Sequence, residues 1–100
     1  MTGKILLYRL KPEACGNQKS TNQVWASEAF AKAKGIIPQL QTLETGININ
    51  RLDWSCDFSV LLEFRSWEAI SIFEAQPLVK EAYEFMDKIS CEKRLVEFFA

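Results

Sequence analysis

The chain has 100 residues, a mass of 11.5 kDa and a net charge of −1, a size that holds one compact domain over residues 1–100 and excludes a multidomain enzyme. Hydrophobic residues make up 48% and charged residues 25%, the composition of a folded globular protein. Residues 1–50 carry six basic and three acidic side chains and residues 51–100 six and ten, so no strongly basic face exists to attract nucleic acid or an anionic membrane, and neither is expected as a partner.

Residues 4–10 read as a strand with Ile5 and Leu7 on one face and Leu6, Tyr8 and Leu10 on the other. Pro12 and the pair Gly16-Asn17 end it. Ser20-Thr21-Asn22-Gln23 has the spacing of a capping box and predicts a helix from about residue 20. Its apolar stripe is Ala26, Ala29, Phe30, Ala33 and Ile37, with Gly35 as a left-handed cap. Leu43, Thr45, Ile47 and Ile49 then alternate with polar and small residues, and Phe58, Val60, Leu62 and Phe64 repeat the pattern. These predict an antiparallel pair joined by a loop over residues 51–57.

Ser66 predicts the cap of a short helix carrying Trp67, Ile70 and Phe73, which Gln76-Pro77 interrupts, because proline suits a first helical turn and not an interior. Leu78, Ala82, Phe85, Met86 and Ile89 give a second amphipathic piece. Residues 91–99 read as a last strand, with Leu95 and Phe99 on one face and Val96 and Phe98 on the other.

The order β-α-β-β-α-β predicts an α+β, ferredoxin-like fold: a four-stranded antiparallel sheet with helices on one face. The first and last strands are apolar on both sides, so a second sheet is expected to cover the free face in a twofold homodimer, a dimeric α-β barrel. Leu6, Tyr8, Val96 and Phe98 are the interface candidates. Cys15, Cys56 and Cys91 are odd in number and form no CxxC pair, which fits neither a disulfide framework nor a zinc ribbon and suggests a reducing compartment. With no apolar run of signal-peptide or membrane-spanning length, the expected location is the cytoplasm.

Histidine is absent, which removes serine–histidine and cysteine–histidine nucleophile systems and histidine-based zinc and haem sites. No cofactor is expected. Asp53 and Asp57 with Asn48 and Asn50 are rich in oxygen, but their spacing follows no calcium loop and no metal is expected. Glu63 and Glu97 lie inside strand runs, either as a mutually perturbed acid–base pair or as seam carboxylates partnered by Arg9 or Arg94. Tyr8 and Tyr83 are the available phenols, and Lys4 is either a desolvated amine or a solvated strand-end lysine.

Ile5-Leu6-Leu7-Tyr8-Arg9-Leu10-Lys11-Pro12-Glu13, Ile36-Ile37-Pro38, Phe58-Ser59-Val60-Leu61-Leu62-Glu63-Phe64, and Gln76-Pro77-Leu78-Val79 followed by Glu84-Phe85-Met86 together resemble the stress-responsive A/B barrel (Dabb) domain family over about 90 residues. The resemblance implies homodimers whose two sheets form a barrel, and a cavity between sheet and helices that binds small apolar molecules in some members. One branch, similar to olivetolic-acid cyclase of plants, performs an intramolecular aldol cyclisation with histidine and tyrosine groups. At the matching positions this chain has Val79, Phe73, Lys4 and Phe30, and aldol chemistry needs both a base and an oxyanion donor.

No residue is therefore expected to be catalytic. The ligand-pocket candidates are Lys4, Phe30, Phe73, Val79, Phe58 and Tyr83, with the alternative that the aromatics simply form the core. The expected function is that of a non-catalytic homodimer open to a small apolar ligand between helices and sheet. The alternatives are a small cofactor-independent lyase, isomerase or monooxygenase acting on a phenolic or polyketide-like substrate, and a purely structural assembly module.

Overall fold

The computed structural model describes residues 1–99. Strand β1, Thr2–Leu10, is followed by a small hairpin of β2, Glu13–Ala14, and β3, Asn17–Gln18. Helix α1, Lys19–Ala31, leads to β4, Leu40–Ile47, and β5, Phe58–Phe64. Then come α2, Glu68–Glu74, α3, Pro77–Ile89, and β6, Ser90–Phe99. The main sheet has the order β4-β5-β1-β6, with every neighbouring pair antiparallel.

The expected β-α-β-β-α-β order is present, with the proline-broken second helix as two pieces and Pro77 in the first turn of α3. The small hairpin is an addition. Cys15 and Gly16 both have positive φ, 55° and 76°, the backbone of a two-residue turn that follows strand twist. The capping box is not formed. Gln18 occupies the N-cap without a side-chain bond, and Gln23 Nε2 donates instead to the Asp57 carbonyl at 2.8 Å. Asn22, fully buried, donates from Nδ2 to the Ala14 carbonyl at 3.0 Å and ties α1 to the hairpin.

The core lies between the sheet and the helices and is rich in rings: Phe30, Phe58, Phe64 and Phe73 are all buried. Phe64 meets Phe73 edge-on at 5.4 Å between centroids, and Phe30 stacks near Phe58 at 6.2 Å. Such pairs add to the stabilisation from burial itself.

Register decides which face of β1 is inside. Leu6 pairs with Val60 and Tyr8 with Phe58, both buried partners. Leu6 and Tyr8 are only 5% and 2% exposed, so the expectation that they lie on a dimer face is corrected: they belong to the core under the helices. Across the β1–β6 ladder, Ile5 pairs with Val96 and Gly3 with Phe98. Val96 and Phe98 thus share the opposite, open face with Ile5, Leu7 and Leu61. Gly3 is required there, because a Cβ would run into the Phe98 ring and the Leu62 carbonyl.

The same register separates Glu63 from Glu97. Glu63 pairs with Gly3 on the open face and Glu97 with Lys4 on the helix side, so the two carboxylates cannot act as a pair. Among the described residues, no helix is long and apolar enough to cross a membrane.

Candidate functional site

Two clefts contain most of the polar residues singled out in the sequence. The larger, about 750 Å³, lies at the C-terminal end of β1 against residues 48–57. Its polar groups are largely occupied. Asp57 accepts from the Leu10 backbone N–H at 2.8 Å and pairs with Lys19 at 3.3 Å. Asn48 Nδ2 donates to Ser55 Oγ and the Cys56 carbonyl, while Asn50 Oδ1 accepts from the Leu52 N–H and the Ser55 hydroxyl. Arg9 donates to the Asp53 carbonyl and pairs with Glu92 at 3.8 Å. These side chains build the loop, and among the described residues no group of three or more histidine, cysteine or carboxylate side chains is placed to hold a metal.

The smaller cleft, about 290 Å³, lies between the sheet and helices α2 and α3. Lys4, Leu6 and Tyr8 reach it from β1, Lys93 and Leu95 from β6, Glu74 from the end of α2, and Tyr83 and Asp87 from α3. Alternation along β1 aims Lys4, Leu6 and Tyr8 to one side, and the i, i+4 spacing of Tyr83 and Asp87 puts both on one helix face. The volume is at the lower end of the range for small-molecule sites.

Lys4 is 8% exposed overall. Its Nζ lies 2.8 Å from Glu74 Oε2 and 3.7 Å from Glu97 Oε1, which holds a cation against the floor of the cleft. Burial pushes the Tyr8 phenol up to about 12, with the Asp87 carboxylate adding to the effect. The Tyr83 phenol is also pushed up, by burial first, then by the charge of Glu74 and by Tyr8. Glu74 also raises it through hydrogen bonding, so the phenol and this carboxylate are neighbours in the cleft. Both phenols keep their protons near neutrality and offer donors.

The six pocket candidates separate into two groups. Lys4 and Tyr83 line the cleft. Phe30, Phe58, Phe73 and Val79 are 0–2% exposed, and none of them lines it. Phe30 touches the site indirectly, its ring 5.9 Å from that of Tyr83 in an edge-on contact. Four lining residues escaped the sequence reading as site residues: Glu74, Asp87, Lys93 and Leu95. The Tyr83/Asp87 spacing was a usable signal, whereas Glu74 reaches Lys4 across 70 residues of chain and only tertiary packing brings them together.

The family model for the stress-responsive A/B barrel domain matches residues 3–100. The chain belongs to this family. Solved structures show the A/B barrel domain's fold elsewhere. A dimeric ferredoxin-like protein of unknown function from Thermobifida fusca aligns with a TM-score of 0.84 at 16% identity, over 99% of this chain and 90% of that one. An antibiotic biosynthesis monooxygenase aligns at 0.75 and 17% identity, over 100% and 98%. Hydroxynitrile lyase from Passiflora edulis aligns at 0.78 and 11% identity, over 99% and 92%. At these identities the likeness is one of fold. No curated protein sequence matches this A/B barrel domain significantly.

Proposed function

We propose that this A/B barrel domain is a non-catalytic homodimer that binds a small molecule in the cleft between β1 and β6 on one side and α2 and α3 on the other. The observation that carries the reading is the cleft's lining: an apolar floor of Leu6 and Leu95 with two proton-bearing phenols beside it. A few polar groups over apolar surface are what a small-molecule site needs for orientation. The phenols, held protonated, serve as donors and not as bases at neutral pH. Of the two amines that line the cleft, that of Lys4 is engaged by Glu74 and Glu97. Of the two carboxylates lining the cleft, Glu74 is held by Lys4, so proton abstraction, the step that a cyclase or lyase reading requires, would fall to Asp87.

The homodimer reading is supported by the open face. Ile5, Leu7, Leu61, Val96 and Phe98 leave apolar surface without cover on the side of the sheet away from the helices, with Val96 at 55% exposed. Facing it with the same surface of a second copy forms a self-complementary interface. The Thermobifida fusca relative is described as dimeric.

Native mass spectrometry of the purified protein, combined with saturation-transfer NMR using toluene and acetophenone, tests both halves. The expected result is a dimer with saturable binding of at least one fragment, lost in Leu95→Trp, which fills the cleft from its half-exposed floor. A monomer of 11.5 kDa overturns the dimer, and absence of saturable binding overturns the ligand site.

A further inference from the structure

We propose that Trp54, on the loop between β4 and β5, is an anchor of the homodimer and packs against the open sheet face of the second copy. The inference rests on the homodimer reading above and deepens it by naming a contact outside the strands.

Trp54 is 78% exposed. An aromatic side chain of this kind buries about 150–250 Å² when covered, so what Trp54 leaves exposed is about a fifth of the ~800 Å² that each partner contributes to a standard interface. The strand residues of the open face offer less apiece. Leu7 is 37% exposed, and Ile5, Leu61 and Phe98 are half-buried.

The loop is fixed before any partner arrives. Asn48 Nδ2 donates to Ser55 Oγ at 3.1 Å and to the Cys56 carbonyl at 2.6 Å. Asn50 Oδ1 accepts from the Leu52 N–H and the Ser55 hydroxyl. Arg9, from β1, donates to the carbonyl of Asp53, the residue before Trp54. An indole held out on a loop tied in this way has little backbone freedom left to lose on docking, which is what an interface anchor requires.

The position of Trp54 joins it to the open face. Leu7 pairs with Ser59 and Ser59 with Gly46, so these three share the side of the sheet away from the helices. Together with Trp54 they line a groove of about 430 Å³. Its floor is low because Gly46 has no side chain and Ser59 a small one, and a Cβ at position 46 would lie 2.6 Å from Ser59 Oγ. An apolar side chain from a second copy fits this recess and covers the indole. Through Leu7 the groove runs into the surface that faces the other sheet of the barrel, which makes a second copy the occupant. The loop sets Arg51 against Asp53 and Asp57, so it has no basic excess that would direct Trp54 to an anionic membrane instead.

Sedimentation velocity over a dilution series of the full-length protein reads the subunit affinity. Trp54→Ala is expected to weaken the dimer by at least about tenfold, the scale of losing a tryptophan hot spot. Trp25→Ala truncates a tryptophan on α1 beside Phe85 and is expected to stay within about twofold of the parent. Trp54 contributes nothing to the buried core, so its truncation leaves the fold in place. A second measurement keeps the native side chain. In Trp25→Phe/Trp67→Phe, Trp54 is the single tryptophan of the original three, and its fluorescence is expected to be shielded from acrylamide in the dimer.

Weakening by less than about tenfold in Trp54→Ala, or equal weakening in Trp25→Ala, overturns this inference and leaves the homodimer standing. So does acrylamide quenching of Trp54 in the dimer as complete as in the urea-unfolded chain. A parent protein that sediments as a monomer overturns the homodimer reading and this inference with it.

Discussion

Beneath the helices, the two halves of the sheet are filled differently. Over β4 and β5 the space is closed by rings and aliphatic groups: Phe58 and Phe64 from the strand, Phe30 and Phe73 from the helices, with Leu43 and Val60 between them, all 4% exposed or less. Over β1 and β6 the same layer holds Lys4, Tyr8, Tyr83, Glu74 and Asp87, and an open cleft remains. β6 is an edge strand, and its helix-side residue Leu95 stays 49% exposed. One half of the layer is therefore devoted to packing and the other retains polar groups with unmet bonding capacity. In a protein of this size, few side chains are free to do both.

The contrast is open to measurement. Phe73→Ala, in the closed half, is expected to cost about 3–5 kcal/mol in urea unfolding, because it removes a fully buried ring that packs against Phe64. A loss below about 1 kcal/mol would break the comparison by showing that the closed half is loosely packed.

An effect of intermediate size is expected from alkaline titration of the open half. The folded-state value of Tyr8, about 12, lies above the ordinary phenol value of 10.0, so the native state holds this proton more tightly than the unfolded chain. Its contribution to stability is complete below pH 10 and is lost as pH rises toward about 12. Tyr83 adds a loss of the same sign, starting from the same ordinary value. Chemical unfolding between pH 9 and pH 12, with phenolate absorbance followed in parallel, is expected to show stability falling only in the upper part of this range and less steeply in Tyr8→Phe. A profile as steep in the variant as in the parent removes Tyr8 from the account.

The smallest expected effect is that of Leu95→Ala, within about 0.5 kcal/mol, as for other half-exposed sites. A penalty near that of Phe73→Ala would mean that the open half is packed as tightly as the closed one, and would sharpen attention on what covers Leu95 in solution.

Much of this was legible in the chain because local periodicity is a local property. The alternation Phe58, Val60, Leu62, Phe64 marks β5 at its observed limits, Phe58–Phe64, and Gln76-Pro77 marks the start of α3 because proline fits a first turn. The stress-responsive A/B barrel resemblance rested on these patterns, and they set the order of elements. The capping box failed for a reason outside the local pattern: Gln23 finds a better-placed acceptor in Asp57, 34 residues away.

By itself, then, the sequence determined the number, type and order of the main elements, and the family. Only the tertiary structure decided which face of β1 is buried, since both faces are apolar and alternation alone does not choose between them. The pairing of Leu6 with Val60 and Tyr8 with Phe58 makes that choice. It moves two residues from the expected interface into the core and brings Lys4 and Tyr8 from the strand together with Glu74 and Tyr83 from the helices. Side chains so far apart in the chain meet only when helix packing and strand register are both set, and neither is encoded in any short stretch of residues.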